Sequence, residues 1–176
     1  MKVDPGKLKV LLTEEQILNK AKELGKEITE YYKNIDDEII AVCALKGSVH
    51  FFADLVKNID HDMKYYFVRV SSYHGGTSST GTITVNSWTN EPLEGKHILI
   101  VEDIVDTGNT IRFLINEIKK QNPASIKLTS LLIKNAYDHG INVDFPGFEI
   151  DNYFVIGYGL DYDEKYRNIP FIGYVE

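Results

Sequence analysis

The stretch Val101-Glu102-Asp103-Ile104-Val105-Asp106-Thr107-Gly108-Asn109-Thr110 constrains this chain more than any other. The apolar run Ile98 to Val101 reads as a buried strand that delivers two adjacent acids at its end. A tight Asp-Thr-Gly turn follows. Ile111, Leu114, Ile115 and Ile118 then fall at i, i+3, i+4 and i+7, the stripe of an amphipathic helix. Strand, acidic turn and helix start together make a polar cradle. The free N–H groups and the positive dipole end of the helix favour a phosphate. The acids before it cannot serve that phosphate; they suit hydroxyls, or hydroxyls shared with a hard cation. A phosphate beside vicinal sugar hydroxyls describes a ribose-5-phosphate site.

The rest of the chain supplies a scaffold for such a cradle. Thr13-Glu14-Glu15-Gln16 is a capping-box sequence, and Ile17, Ala21, Leu24 and Ile28 form one helical face up to about Tyr32. Ile39 to Leu45 reads as a buried strand, Val49 to Val56 as a helix, and Tyr65 to Val70 as the next strand. Strand, helix and strand with short connections make a right-handed crossover in a parallel sheet. Residues 71 to 81 are rich in Ser, Gly and Thr, the composition of a lid loop. Thr82 to Val85 and Ile98 to Val101 are expected as strands on either side of a turn around Asn90-Glu91-Pro92. Ile126 to Ile133 is a further strand, with short ones near Glu149-Ile150 and Phe154 to Gly157. No repeat, linker or low-complexity segment interrupts the chain. The expectation is one α/β domain over residues 1–176, a mainly parallel twisted sheet flanked by helices. Lys46, Ser71, Glu102 and Lys134 each follow an apolar strand, so they converge on the crevice where open α/β sheets bind ligands.

Composition narrows the chemistry. A formal net charge of −7 is unsuited to a nucleic-acid surface, which needs a basic stripe. It also requires that any polyanionic substrate be met locally, by backbone amides, a few placed cations and a divalent metal. No apolar run approaches the roughly 20 residues that span a bilayer, and Met1 to Gly6 has no signal-peptide core. A cytoplasmic protein is the expectation. The single cysteine, Cys43, lies in an apolar run and reads as a buried structural thiol. Gly157-Tyr158-Gly159 fails the dinucleotide pattern because Tyr162 stands at its third glycine, and there is no Gly-Lys-Ser/Thr for a triphosphate loop. The five histidines have no zinc-ligand spacing.

The motif at 101–110 resembles the phosphoribosyl-diphosphate motif of the type I phosphoribosyltransferases. Leu45-Lys46-Gly47-Ser48, Ser72-Tyr73-His74-Gly75, Leu131 to Lys134, and Phe148 through Tyr162 narrow the resemblance to the hypoxanthine-guanine phosphoribosyltransferases, over nearly the whole chain. The resemblance implies a small hood over the active site, phosphoribosyl diphosphate and a 6-oxopurine as substrates, Mg2+ as cofactor, and a homo-oligomer, dimer or tetramer. It implies that Glu102 and Asp103 hold the ribose hydroxyls and the metal, and that Asp106 is the general base at N7 of the purine. Thr107, Gly108, Asn109 and Thr110 form the 5′-phosphate cup, with Asn109 where the family often has lysine. Lys46-Gly47 is the implied pyrophosphate loop, whose peptide is often cis in the family. Lys134 is placed against O6, Phe154 stacks on the base, and the backbone of Val155 meets the base edge. Asp161 meets a second magnesium, Arg167 the pyrophosphate, and Ser72 and Tyr73 sit in the lid. Lys134 carries its own chemical argument, because an ammonium only donates and so selects a 6-oxo over a 6-amino group.

Overall fold

Ile39–Leu45 (β2) is apolar at every position and buried almost throughout, so neither of its faces can meet water. The computed structural model describes residues 8–72, 83–85, 92–136 and 139–174. In it, β2 lies between Met63–Ser72 (β3) and His97–Val105 (β5), parallel to both. Ser125–Lys134 (β6) and Phe145–Ile150 (β7) continue the sheet, each parallel to its neighbour. The result is a five-stranded parallel sheet, with Ile83–Val85 (β4) added antiparallel on the outer edge of β3.

The alternation within β2 sorts the core. Ile39, Ala41 and Cys43 pack on one side with Glu14–Tyr32 (α1) and Val49–Val56 (α2). Ile40, Val42 and Ala44 pack on the other with Ile111, Leu114 and Ile118 of Asn109–Lys119 (α3). The capping box expected for α1 is present, with Gln16 N donating to Thr13 Oγ1 at 3.2 Å and Thr13 N to Gln16 Oε1 at 2.8 Å. A second, antiparallel sheet joins Lys9–Leu12 (β1), Ile172–Tyr174 (β9) and Val155–Ile156 (β8), in the order β1-β9-β8. It carries Val155 beside Phe154.

Four details differ from the sequence reading or go beyond it. First, β5 does not end at Val101. Its pairing with β2 stops at Cys43 opposite Val101, but pairing with β6 continues to Val105 opposite Ile133. Glu102 and Asp103 therefore lie within a strand that is open on one side, where β2 has already turned away. Second, β4 and β5 are not neighbours: β4 pairs with β3, and β5 is central. Third, β1 and β9 were not anticipated; both are short, and they pair with each other from opposite ends of the chain. Fourth, the cis peptide lies between Leu45 and Lys46, one bond before Lys46-Gly47. Of the loop expected at 71–81, Ser71 and Ser72 continue β3. The remainder, Tyr73 included, lies outside the described residues.

Candidate active site

The carboxyl ends of β2, β5 and β6 bring the expected residues together. A cavity of about 240 Å³ lies over residues 102–111, lined by both acids, Asp106 and the Thr107–Thr110 turn. A larger concavity, about 620 Å³, sits at the opposite end of the strands among Asp36, Asp37, Glu38, His61 and Lys64. Within it Glu38 pairs with Lys64 at 2.9 Å and with Lys96 at 3.0 Å. The chemistry belongs to the smaller cavity.

Gly108 caps α3 with φ +75, and a side chain there would collide with Ile141 and crowd His139. No side chain caps the first turn of α3. The amides of Asn109 and Thr110 thus remain available, with the dipole behind them, for an anion. Arg112 had not been singled out in the sequence. Its guanidinium donates to Asn109 Oδ1 at 3.0 Å and to the His139 carbonyl at 2.6 Å, tying the rim of the cup together. The Asn-x-x-Arg spacing across one helical turn was the available signal.

Glu102 is buried beside Asp103. Burial first, and then the neighbouring negative charge, hold its carboxyl well above the usual carboxylate range. Its Oε1 accepts from Asp103 N at 3.1 Å, and Asp103 Oδ1 accepts from Ile104 N at 2.8 Å. A Cβ on Gly47 would fall on Asp103 Oδ2, so only glycine lets this loop approach the acids.

Asp106 and Lys134 meet directly, Nζ to Oδ2 at 2.9 Å, with the lysine buried and the aspartate half-exposed. An acceptor and a donor thus stand side by side at the cavity. Phe154 exposes 54% of its surface, edge-on to Tyr162 with centroids 5.8 Å apart, while Val155 is buried in β8. An exposed aromatic face on a rigid strand end is a stacking surface for a planar ligand.

Lys46 and Arg167 converge from the other side. Both reach Glu164 Oε2, at 2.6 Å and 3.4 Å, and Arg167 also pairs with Asp161 at 2.9 Å. Lys46 lowers the Glu164 pKa from its ordinary value. Glu164 was missed in the sequence, where an exposed acid after a turn carries no signal. Asp161 does not join Glu102 and Asp103. Among the described residues, no three His, Cys, Asp or Glu side chains form a group that could hold a metal. The Ser72 backbone ends β3.

A family model for the phosphoribosyl transferase domain matches residues 10–163. The chain is 43% identical over 166 residues to a hypoxanthine-guanine phosphoribosyltransferase of Streptococcus pneumoniae, covering 94% of this chain and 91% of that one. It is 40% identical over 169 residues to a hypoxanthine-guanine-xanthine phosphoribosyltransferase of Tritrichomonas foetus, covering 94% and 90%. A crystal structure of a Staphylococcus aureus hypoxanthine phosphoribosyltransferase superposes with a TM-score of 0.88 at 40% identity, over 97% of this chain and 93% of that one.

Proposed function

The chain belongs to the phosphoribosyl transferase family, and on that premise we infer that it works in purine salvage. It transfers the 5-phosphoribosyl group of phosphoribosyl diphosphate to hypoxanthine or guanine, giving IMP or GMP and pyrophosphate. The observation that carries this reading is the Lys134–Asp106 pair beside the Thr107–Thr110 cup, at 2.9 Å. The purine stacks on Phe154, and its edge meets the Val155 backbone. Lys134 donates to O6, and Asp106 accepts the proton that N7 loses as N9 bonds to C1′. The C1′–oxygen bond to pyrophosphate breaks as the C1′–N9 bond forms. Thr107 to Thr110 hold the 5′-phosphate, and Glu102 and Asp103 hold the ribose hydroxyls near the positive charge that develops at C1′. Lys46, the Gly47 backbone and Arg167 receive the leaving group.

A divalent cation fits the acids. Glu102 and Asp103 are adjacent carboxyls that press on each other in a buried setting, which a shared positive charge would relieve. Magnesium, when bound, supplies the charge that shields the leaving pyrophosphate. Glu102 and Asp103 would hold one such ion and Asp161 a second. No helix among the described residues is long and apolar enough to cross a membrane. Val49, Tyr65 and Phe67 are exposed on α2 and β3, an apolar patch suited to a second copy in a homo-oligomer.

Pyrophosphate release with hypoxanthine, guanine, xanthine and adenine, each with and without magnesium, tests the reading. Turnover is expected with the 6-oxopurines, not with adenine, and chelation should abolish it. Metal-independent rates, or no release with any 6-oxopurine, would overturn the mechanism.

A further inference from the structure

Two stretches far apart in the chain build the leaving-group end of this site. One is the Lys46-Gly47 loop that leads into α2; the other is the turn over residues 157–167 that carries Asp161 and Arg167. Their backbones touch, because the Gly47 carbonyl oxygen occupies the space that a Cβ on Gly159 would need. Such a contact limits how near the two can come. It does not keep them from drifting apart.

The Lys46–Glu164 ion pair joins them, but only through two exposed side chains; Tyr158 adds a buried restraint. It is buried, and its hydroxyl donates to Asp54 Oδ2 on the last turn of α2 at 2.7 Å. The His50 ring, on the first turn of α2, lies against the Tyr158 ring with centroids 5.8 Å apart. Tyr158 has φ +49 between Gly157 and Gly159, both at φ +98. An aromatic residue adopts that left-handed region only where its surroundings over-determine it. Burial, and then the Asp54 bond, push the phenol well above its ordinary pKa, so it stays a donor at every working pH.

Backbone bonds carry the anchor onward. Tyr158 N donates to the Ile169 carbonyl at 2.7 Å and Gly159 N to the Arg167 carbonyl at 2.9 Å. Arg167 Nη1 donates back to the Gly159 carbonyl at 2.7 Å, and the same guanidinium holds Asp161 at 2.9 Å. At the other end, Phe52 N bonds to the Ser48 carbonyl at 2.8 Å, so α2 continues without a break from the loop to Asp54.

We propose that the Tyr158–Asp54 hydrogen bond is a positioning clamp that sets the spacing between the Lys46-Gly47 loop and the Asp161–Arg167 turn, and so governs how tightly phosphoribosyl diphosphate and pyrophosphate are held. The proposal rests on the phosphoribosyltransferase reading. Lys134 and Asp106 stand on β6 and just after β5, outside both clamped segments, and of the base contacts only Phe154 and Val155 adjoin the clamped turn, so base binding should depend on the clamp much less.

Steady-state kinetics of Tyr158→Phe, Asp54→Ala and Asp54→Asn, in both reaction directions, test it. Tyr158→Phe and Asp54→Ala should each raise KM for phosphoribosyl diphosphate and for pyrophosphate by roughly tenfold, the weight of one hydrogen bond to a charged group. KM for hypoxanthine should stay within about twofold by the same spacing argument. Asp54→Asn keeps a carbonyl acceptor for the phenol and should restore near-normal values even if Tyr158→Phe folds poorly. The double variant Tyr158→Phe/Asp54→Ala should be no worse than either single one. Unchanged KM values, or equal rises for base and phosphoribosyl diphosphate, would overturn the clamp while an active wild-type protein keeps the family reading. Wild-type protein that released no pyrophosphate with any base would overturn both.

Discussion

At the scale of single residues, Asp106 and Lys134 are each tested by their contact with the other. Asp106→Asn should leave the turn and the amide cup intact and slow turnover by about 10²–10⁴, the usual weight of a general base. Single-turnover rates with hypoxanthine and guanine check this, and a near-normal rate would remove Asp106 from that role. Lys134→Ala should raise KM for both bases by roughly 10- to 150-fold, the loss of one charge-assisted hydrogen bond, with KM for phosphoribosyl diphosphate much less affected. Glu102 makes a different prediction, about stability. Its folded-state carboxyl lies above the unfolded value. Its contribution is therefore fully present below the ordinary carboxylate pKa of about 4.3, and is lost as pH rises through the folded value. Glu102→Gln removes that loss, so the variant should melt higher than the parent at pH 8, with a smaller gain at pH 5. Thermal melts at the two pH values measure it. A variant no more stable than the parent at pH 8 would mean that the buried acid is not a strained one.

At the scale of elements, the glycines at the strand ends decide whether the site assembles. Gly47→Ala would drive a methyl group into the Asp103 carboxylate. Displacing either by about 1 Å should lower kcat/KM by roughly 10²-fold, since misplaced groups in a site cost about that much. Circular dichroism should confirm that the fold survives, and an active Gly47→Ala enzyme would show that the loop can yield. Thr13→Ala is the contrasting case. It breaks the capping box of α1 without touching the residues that line the cavity, and should cost about 1 kcal/mol of stability with no change in kinetics. A shifted KM there would mean that α1 communicates with the site.

At the scale of the whole molecule, Cys43 reports on the sheet. It is fully buried in the central strand, and burial pushes its thiol up to about 11, partly offset by its contact with Ser48. Native protein at neutral pH should therefore react with thiol reagents only as fast as the sheet opens, and denaturant should expose one thiol per chain. Rapid native-state labelling would contradict a continuous core. The motif at 101–110, the central strand at 39–45 and the helix faces at 17–28 and 111–118 could all be read in the sequence. Strand runs, helical stripes and turn residues are local patterns, and they repeat within a few positions of one another. The length of β5 could not be read, because Glu102 and Asp103 look like the end of a strand until β6 is seen to pair beyond them. Nor could β1 and β9 be read, being too short to carry a period and paired across the length of the chain. The same limit applied to Glu164, Arg112 and the Tyr158–Asp54 bond, whose partners are set by where the backbone returns. Sequence by itself determined the chemistry the site can perform, since that depends on which side chains follow which strands. Only the tertiary structure decided how the Lys46-Gly47 loop and the turn over residues 157–167 are brought together. A hydrogen bond across 104 residues leaves no trace in local spacing.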